Sequence, residues 1–486
     1  MMSGTSGLLL GCYADGSLTS TAEEFNSANK ELKNIIAKWK TSGTLQAIGK
    51  CRILYNFGGV DFLAVVNIGA KDAGYNDTEQ IDEGRELVRN AVGVGIKKLQ
   101  EEGATAVQVD PCNQPDAAAE AIKLALFHFD ELKTTKLQHV TVSCLSTDPA
   151  VLSEWAKGEI LGDGQVFSRR LMELPSNRLT PTIFCDHITK VFKPLGMNVI
   201  VRDRKWIEEQ KMNAFIGVAK GSDEPPKFLE IHYNGAGDGK PHFAIVGKGI
   251  CFDAGGICLK DVRGMDLMRA DMGGAACGVA AIMTAAKLKL PINVRMYTAL
   301  CENMPDGKAQ KPGDVVVARN GKTIEVLDTD FEGRLTLADA LNYAESENPM
   351  GILDMATLTL GMIQGVGMSA TSGVFTANNQ YWELLRKAGV KTGDRVWRMP
   401  LWNYYTNYMK MSGLADLSNV GGDQKFGEPC FAAAFLREFV TTTNWVHLDI
   451  ASVLIHDGTL PYMDAGVGGR PTRTIVEFLN LLSQTL

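Results

Sequence analysis

Short apolar runs alternate with helically spaced apolar residues along the first third of the chain. The apolar runs are typical of buried strands and lie at 62–68, 105–110 and 139–145. Helical spacing marks residues 86–102 and 117–132, and Gly103 supplies an end signal for the first of these helices. This alternation of strands and helices predicts a small α/β domain over residues 1–150.

A further helical pattern, at 151–174, is expected to link this domain to the rest of the chain. After it, Thr180 and Pro181 supply the N-cap and first-position residues of a new helix. We therefore expect a second domain over residues 175–486. That length is ample for burying a hydrophobic core of its own.

The second domain also alternates apolar runs with helical patterns. The runs predict strands at 214–218, 227–233, 243–246, 293–300, 323–328 and 351–357. Asn320-Gly321 is the residue pair of a tight hairpin turn, and it lies between predicted strand residues 315–318 and 323–326. The predicted fold class is α/β, with two domains that are each a mixed sheet flanked by helices, the C-terminal one being larger.

Composition and charge narrow the classes of function. Of the 486 residues, 45% are hydrophobic and 22% are charged, which is typical of a globular protein. The formal net charge of -7 makes nucleic-acid binding an unfavoured function, because such binders usually carry a basic face. A local basic patch stays open as an alternative.

Cysteine usage and hydropathy bear on the compartment. The ten cysteines include no C-x-x-C pair, so free thiols in a reducing compartment fit best. No apolar stretch approaches the roughly 20 residues of a membrane-spanning helix. The apolar run near the N-terminus is short and lacks the preceding basic residues of a signal peptide. We expect a cytoplasmic protein without a membrane partner.

Histidine and serine motifs give no anchor for chemistry. None of the seven histidines forms H-E-x-x-H or another paired metal-ligand spacing. His447, inside an apolar run, is the least certain of them. The G-x-S-x-G elbow of serine hydrolases and the P-loop pattern are also missing from the sequence. A catalytic site must therefore use other residue types.

Acidic residues carry the strongest signal. An apolar run leads into the glycine-rich loop that follows Asp253, which puts Lys248 and Asp253 at or beyond the carboxyl end of a strand. In open α/β sheets, binding sites form in the crevice at that edge. Asp271 precedes two glycines and an apolar helix at 275–288. It is therefore either an N-terminal cap or part of a site.

Asp330 and Glu332 form a second acidic pair. In an extended segment alternate side chains share one face, so both carboxylates are expected to point the same way. Gly333-Arg334 then turns into a helix predicted at 335–344. Neighbouring like charges are unfavourable unless a cation lies between them. The pair therefore predicts either bound metal ions or full exposure to solvent.

Three blocks of sequence resemble the cytosolic leucyl aminopeptidase family. They are VGKGICFDAGG at 246–256 with Lys260 and MDLMRADMGG at 265–274, TDFEGRL at 329–335, and WVHLDIA at 445–451 with GRPTR at 469–473. Similarity to the family runs from about residue 175 to the C-terminus, whereas the first third resembles it only in size and α/β pattern. The resemblance implies a macro-like N-terminal domain and a catalytic metallopeptidase domain.

The resemblance implies a metal-dependent aminopeptidase that removes the N-terminal amino acid, with leucine and other apolar residues preferred, from peptides with a free N-terminus. Two divalent ions would bridge a water as hydroxide; zinc is usual, and manganese, magnesium or cobalt can replace it. Matched by position, the metal ligands are Lys248, Asp253, Asp271, Asp330 and Glu332. Lys260 would stabilise the oxyanion, and Arg334 would hold a bicarbonate ion as general base.

The family correspondence also implies a substrate pocket and an assembly. The pocket residues are Met268, Thr357, Leu358, Leu360, Ala451 and Leu454, for each of which ordinary core packing is the alternative. The Leu358 carbonyl and Asp271 are expected to contact the amine and amide groups of the substrate. By the same resemblance the protein is expected to form a homohexamer of two stacked trimers.

Four positions depart from the family pattern without removing a ligand. Ala254 stands where serine is common, Asp328 replaces an asparagine, Phe331 replaces an alanine, and Leu360 replaces a glycine. By strand alternation the Phe331 ring is expected to face away from the two acids beside it. Leu360 is expected to narrow the pocket, so the departures bear on metal preference and substrate range.

Two other functions compete with this interpretation. A dinuclear-metal phosphoesterase would also use clustered carboxylates, but it normally adds histidine ligands or more cationic phosphate contacts. A binding protein that kept the fold would be expected to have lost at least one of the seven metal and catalytic residues, all of which are present.

Overall fold

The computed structural model describes residues 5–44, 47, 49–421 and 426–486, and these form two compact units. The first unit contains the chain up to Val166 with Gly389–Gly393 and His456–Gly466. The second contains Phe167–Ala388, Asp394–Ile455 and Val467–Leu486. The first boundary lies inside a long helix, Pro149–Glu173, at the stretch where the sequence predicts a helix.

The first unit is built on a five-stranded mixed sheet. Its strands are β1 (Ser6–Cys12), β2 (Cys51–Phe57), β3 (Val60–Asn67), β6 (Ala106–Val109) and β7 (Thr141–Cys144), with β4 (Tyr75–Asn76) and β5 (Ile81–Asp82) as a separate pair. Its helices are α1 (Ser20–Ala28), α2 (Glu31–Thr41), α3 (Glu83–Glu101), α4 (Pro115–Ala125) and the first part of α5 (Pro149–Glu173). The order is β2-β3-β1-β6-β7, with β2 antiparallel to β3 and the other pairs parallel.

Helices cover both faces of this sheet. Leu8 and Leu10 of β1 pack into one core cluster with residues of α1 and α2. Leu9 lies between them in sequence and packs into a second cluster with residues of α3 and α4. Because side chains alternate between faces and both faces are buried, β1 reads as a continuous apolar run rather than as an alternating one.

The second unit is built on an eight-stranded mixed sheet. The strands of the second unit are β8 (Asn198–Arg202), β9 (Lys227–Asn234), β10 (His242–Asp253), β11 (Asn293–Asn303), β12 (Asp314–Val317), β13 (Thr323–Val326), β14 (Gly351–Ala356), β15 (Ser372–Phe375), β16 (Val396–Arg398), β17 (Leu417–Ser418) and β18 (Trp445–Asp449). Two short strands near the C-terminus, β19 (Ile455–His456) and β20 (Gly466–Val467), pair with each other. The order of the large sheet is β16-β15-β18-β14-β10-β11-β9-β8.

The helices of the second unit lie before, between and after the strands of the large sheet along the chain. They are α6 (Pro181–Phe192), α7 (Arg204–Glu209), α8 (Asn213–Ala219), α9 (Gly273–Lys287), α10 (Gly333–Ser346), α11 (Leu360–Val366), α12 (Asn379–Thr392), α13 (Asn403–Met409), α14 (Glu428–Arg437) and α15 (Thr472–Ser483). Helix α9 lies so close to β10 that a Cβ on Gly247 would come within 2.6 Å of the Gly274 carbonyl oxygen. Both units are therefore α/β with mixed sheets flanked by helices, which confirms the predicted fold class.

One predicted strand is wrong. Residues 214–218 were expected to be a strand, but they belong to α8. The Phe215 N–H donates to the buried carboxylate of Asp339 at 3.0 Å, and most side chains of α8 are buried. A short helix that is apolar on nearly every side shows no 3.6-residue period, so its sequence cannot be told from that of a buried strand.

Several predicted bounds also need correction. The helix expected at 117–132 ends at Ala125, and the strand expected at 139–145 is limited to Thr141–Cys144. The strand expected at 323–328 ends at Val326, which leaves Asp328 in a turn. The Asn320-Gly321 hairpin is confirmed between antiparallel β12 and β13. The Thr180 cap is confirmed as well, since its hydroxyl accepts from the Ile183 N–H.

No described helix combines the length and the apolar content that crossing a bilayer requires.

Candidate metal centre

Four neighbouring parallel strands of the large sheet, β18, β14, β10 and β11, end at one edge. Lys248 lies on β10, and Asp253 is its last residue. Thr357 follows the end of β14, Asp449 is the last residue of β18, and Asn303 is the last residue of β11. The predicted crevice at the carboxyl ends of strands is therefore where these polar side chains meet.

A glycine loop carries the chain from β10 back over this edge. Gly255 has a φ of 88°, and a Cβ there would lie 2.4 Å from the Cys258 carbonyl oxygen and 2.9 Å from Oδ1 of Asp330. A side chain is therefore excluded both by backbone conformation and by space. The loop then returns Lys260 to the same edge.

Asp330 and Glu332 reach the site from a turn rather than from an extended segment. The Asp328 carboxylate accepts from the Asp330 N–H at 2.9 Å, which forms the turn. Glu332 has helical backbone angles directly before α10. The expected shared face of a strand is therefore wrong. The turn still brings carboxylate oxygens of Asp253, Asp330 and Glu332 within 4.8 Å of one another.

Asp271 belongs to this site and is not a helix cap. The N-cap position of α9 is Met272, which makes no side-chain cap bond within the described chain. Asp271 instead places Oδ2 2.8 Å from the Lys248 ammonium, and its Oδ1 accepts from the Thr357 hydroxyl at 2.8 Å. Of the two interpretations that the sequence left open, the structure favours the site.

Two lysines lie among the four carboxylates. Lys248 Nζ is 2.8 Å from Asp271 and 2.8 Å from Glu332, and it donates to the Thr357 carbonyl at 2.9 Å. Lys260 Nζ is 2.8 Å from Asp253 and 2.5 Å from Asp330. The fold therefore brings together six of the residues predicted from the sequence, namely Lys248, Asp253, Lys260, Asp271, Asp330 and Glu332.

The electrostatics of this cluster favour added positive charge. Burial raises the pKa of Asp330 to about 7, with Asp253 adding to the rise and Lys260 opposing it. Burial and neighbouring carboxylates also raise the pKa of Glu332 and of Asp271. Burial alone would lower the pKa of Lys248, but Asp271, Glu332 and Asp253 raise it. Four carboxylates thus face two ammonium groups, and negative charge remains in excess.

The donor set fits divalent metal ions. Carboxylate oxygens and a lysine amine are hard donors, and Oε2 of Glu332 is buried without a hydrogen-bond partner among the described residues. Metal binding would require Lys248 to give up its proton, because only the neutral amine has a lone pair to donate. Asp253, Asp330 and Glu332 lie close enough for their oxygens to share ions.

Arg334 lies beside the cluster and has one free edge. Its Nη1 donates to the Asn419 carbonyl at 2.6 Å, and the Phe331 ring lies 4.4 Å from the guanidinium carbon. Nε and Nη2 are buried and have no hydrogen-bond partner within the part of the chain that the structure describes. Burial lowers the pKa of Arg334 to about 10, so the group stays charged at neutral pH.

A cavity of about 370 Å³ opens next to the carboxylates. All six residues predicted for the substrate pocket line it, namely Met268, Thr357, Leu358, Leu360, Ala451 and Leu454. Lys248, Asp253, Lys260, Asp271 and Asp330 line the same cavity. A pocket that combines apolar walls with a small number of convergent polar groups is the form that small-molecule and peptide-end sites usually take.

Sequence reasoning missed Asp449 as a residue that shapes this pocket. Its Oδ2 accepts from the Thr359 hydroxyl at 2.6 Å, and its Oδ1 accepts from the N–H groups of Ala451 at 3.1 Å and Leu358 at 3.4 Å. Asp449 lies within a sequence block quoted above, but nothing in that block shows what its carboxylate binds.

Three further contacts of the site were also missed. Asn303 donates to the Asp253 carboxylate at 2.8 Å and so orients it. Asn419 fixes Arg334 through its carbonyl, and its side chain binds the turn at Asp328. Glu428 places Oε1 4.0 Å from Nη2 of Arg334. No sequence signal marks these residues, because each acts across a long stretch of chain.

His447 lies in the core of the sheet. Its Nδ1 is 2.5 Å from the Asp354 carboxylate, which also accepts from the indole of Trp445 at 2.7 Å. Both His447 and Asp354 are fully buried. The described acidic and histidine side chains that could share a metal are Asp253, Asp330 and Glu332, without His447.

Comparison with known proteins decides the family. The model of the cytosol aminopeptidase family catalytic domain matches residues 166–476, and the model of its N-terminal domain matches residues 9–136. The chain belongs to the cytosol aminopeptidase family. The expectation that the first third resembles the family only in size and pattern is therefore wrong, since the family's N-terminal domain covers most of it.

Curated cytosol aminopeptidases are similar to this chain over nearly its full length. The Xenopus tropicalis protein is 48% identical over 98% of this chain and 93% of its own length. The Homo sapiens protein is 47% identical over 99% and 93%, and the Dictyostelium discoideum protein is 42% identical over 97% and 92%.

Two solved structures of another enzyme agree with the fold. The bottromycin maturation enzyme BotP aligns with a TM-score of 0.84 at 28% identity, over 99% of this chain and 100% of that chain. The same enzyme in complex with Mn aligns with a TM-score of 0.85. As a member of the cytosol aminopeptidase family the chain is a metal-dependent exopeptidase that acts at peptide N-termini, which decides against the phosphoesterase and binding-protein alternatives.

Proposed function

We propose that this member of the cytosol aminopeptidase family prefers peptides that begin with leucine or another apolar residue, and that it uses two divalent ions and a bicarbonate ion. The observation that carries the proposal is the convergence of four carboxylates and two lysines in one cluster, of which Lys248, Asp253, Lys260, Asp271 and Asp330 line the 370 Å³ cavity. The apolar part of that cavity supplies the specificity, and the charged end supplies the chemistry.

Lys248, Asp253, Asp271 and Glu332 would hold one ion, and Asp253, Asp330 and Glu332 would hold the other. When bound, the ions supply Lewis acidity and lower the pKa of water toward neutrality. Asn303 keeps the shared Asp253 carboxylate in place by its hydrogen bond to Oδ1. Asp271 is oriented by the Thr357 hydroxyl in the same way.

Lys260 is the lysine that reaches the substrate. Its side chain is 22% exposed and lines the cavity, whereas that of Lys248 is 4% exposed. Cleavage of a peptide bond passes through a tetrahedral species with negative charge on the former carbonyl oxygen. A fixed ammonium group at the edge of the cavity stabilises that charge as it develops.

The free edge of Arg334 fits bicarbonate. Nε and Nη2 point their N–H groups in parallel, which matches two oxygens of a planar oxyanion. Both donors are buried and have no hydrogen-bond partner among the described residues, so a bound anion would satisfy them. When bound there, bicarbonate supplies the general base. No side chain was predicted from the sequence to fill that role.

The substrate end of the cavity combines apolar walls with polar backbone. Met268, Leu360, Ala451 and Leu454 provide walls for an apolar side chain. Asp271 and the Leu358 carbonyl are the proposed contacts of the substrate's amine and amide groups. An uncharged, branched side chain such as leucine would bury its apolar area there.

The remaining parts of the proposal concern metals, assembly and location. Zinc is the proposed resident ion, with manganese, magnesium or cobalt as substitutes; the manganese complex of the BotP relative supports the second of these metals. We further propose that the protein forms a homohexamer. A cytoplasmic location is proposed because the relatives are named cytosol aminopeptidases.

Leucine release from a leucyl amide tests the proposal. The assay is run at mildly alkaline pH with added zinc or manganese, with and without a chelator. Chelator-sensitive release that is lost in folded Asp330→Ala and Glu332→Ala proteins is the expected result. A folded, metal-loaded protein that releases no leucine, but does release a charged or polar residue, would contradict the proposed preference.

A further inference from the structure

Glu428 connects the Arg334 edge to the wall of the substrate cavity. It is the first residue of α14, and its side chain is 25% exposed. Its Oε2 accepts from the Gly361 N–H at 3.0 Å, in the first turn of α11. Its Oε1 lies 4.0 Å from Nη2 of Arg334, which is too long for a hydrogen bond.

Two sides of the Arg334 guanidinium are occupied, and its third side, the edge formed by Nε and Nη2, has no hydrogen-bond partner among the described residues. Nη1 is bound to Asn419, and one face is covered by Phe331. The edge formed by Nε and Nη2 is the side left for an anion, and the Glu428 carboxylate lies 4.0 Å from Nη2 on that edge. A carboxylate and bicarbonate are both planar oxyanions, so both suit that edge.

We infer that Glu428 competes with bicarbonate for Arg334 and so sets the affinity of the site for that anion. This inference rests on the proposed bicarbonate site. A negative charge 4.0 Å from Nη2 repels a second anion on the same edge. A small movement of Glu428 away from Gly361 would close the gap and occupy Nη2 itself.

The same carboxylate ties the anion site to α11. Leu360 and Ile363 of α11 line the substrate cavity, and Gly361 between them is the residue that Glu428 holds. A Cβ on Gly361 would lie 2.7 Å from Cδ of Pro429, so α11 and α14 are in close contact there. When an anion occupies the Arg334 edge, Glu428 therefore binds only Gly361. When no anion is bound there, Glu428 shares its charge with Arg334.

The test is a bicarbonate titration of metal-loaded protein followed by its thermal unfolding midpoint, at constant pH and ionic strength. A ligand that binds the native state raises the midpoint in a concentration-dependent way. The variants are Glu428→Gln, which keeps an acceptor oxygen for Gly361 and removes the charge, and Glu438→Gln. Glu438 follows the last turn of the same helix and pairs with Lys322 and Lys410, so it is the matched loss of one charge.

The expected result is that Glu428→Gln reaches its half-maximal shift at about tenfold less bicarbonate than wild type, a change of about 1.4 kcal/mol. Glu438→Gln should titrate like wild type. Equal or weaker bicarbonate binding by Glu428→Gln would overturn the inference and leave the residue as a support for Gly361. A wild type that shifts with bicarbonate but releases no leucine would refute the proposed peptidase specificity alone, because the unfolding midpoint does not depend on turnover.

Discussion

The two lysines of the cluster differ in what each does with its proton. Lys248 is almost fully buried between Asp271 and Glu332, which raise its pKa, and it must become neutral before it can bind a metal ion. Lys260 is partly exposed at the cavity and can stay protonated beside the substrate. In the proposed mechanism one residue type thus fills two roles because burial and access differ.

Metal affinity should fall as the pH falls. Protons compete with metal at Lys248 and at Asp330, whose pKa burial raises to about 7. Below that pH the Asp330 carboxyl is protonated. Each proton that the metal ion must displace lowers the metal affinity about tenfold per pH unit. Zinc affinity measured by chelator competition at about pH 6 and about pH 8 checks this. An Asp330→Asn protein with the same pH slope as wild type would contradict the part assigned to Asp330.

Asp449 should matter through the groups it pairs. Asp449→Ala leaves the buried donors of Thr359 and Ala451 and the half-buried Leu358 N–H without their acceptor, at a cost of about 1–3 kcal/mol for each buried unpaired group. We expect the thermal unfolding midpoint to drop by about 4 °C or more. Asp449→Asn keeps an acceptor oxygen and is the control, expected to recover most of the loss. Equal midpoints for the two variants would show that the hydrogen bonds contribute little.

At the level of elements, the site depends on how α10 meets β10. A Cβ on Gly333, the first residue of α10, would lie 2.7 Å from Cε and 2.8 Å from Nζ of Lys248. The helix can begin there only with glycine unless Lys248 moves. The close start of α10 is what sets Glu332 and Arg334 against the strand end.

Gly333→Ala is therefore expected to displace Lys248 and to lower kcat/KM for leucyl amide by about 100-fold, as a shift of about 1 Å can do. Steady-state kinetics with saturating metal provide the measurement. Gly365→Ala, in α11, is the matched control, because a Cβ there meets no atom of the described residues within 4 Å. Similar kinetics for both alanine variants would mean that Lys248 tolerates the contact.

Helix α11 supplies one wall of the pocket through its first residue. Leu360 lines the cavity and is 62% exposed, so its side chain stands in open space rather than in the core. Leu360→Ala should widen the pocket and raise kcat/KM for a tryptophanyl amide relative to a leucyl amide by about tenfold. An unchanged ratio would show that Leu360 does not limit side-chain size. Its exposure predicts little change in stability.

For the whole molecule, the two family models divide the chain in nearly the same place as the two compact units do. The family models cover residues 9–136 and 166–476, and each lies largely within one compact unit. We propose 1–150, 151–174 and 175–486 as N-terminal domain, helical link and catalytic domain. Short segments near residues 389–393 and 456–466 also join the first unit, which a division by sequence alone does not anticipate.

The proposed homohexamer predicts a sedimenting mass about six times that of one 52.7 kDa chain. Sedimentation equilibrium of the metal-loaded protein, at several concentrations, provides the measurement. A single species of one chain mass at every concentration would contradict the assembly. The leucine-release assay on the same sample would then show whether a lone chain is active.

The sequence by itself determined the α/β class, most strands and helices, and the residue types of the site. These follow from local patterns: apolar runs, helical spacing, glycine turns and carboxylates directly after strands. Pattern failed at α8, where a short buried helix has no visible period, and at Asp330 and Glu332, where a turn replaces an extended segment.

Only the tertiary structure decided how these residues work together. Asn419 binds Arg334 across 85 residues of chain, and Asp449 binds Leu358 across 91. Glu428 reaches Gly361 across 67. Such contacts depend on which strands are neighbours and where each helix begins, and no local pattern encodes those distances. The clustering of acidic residues was therefore visible in the sequence, whereas the arrangement of the cavity walls and the Glu428 carboxylate beside Arg334 were not.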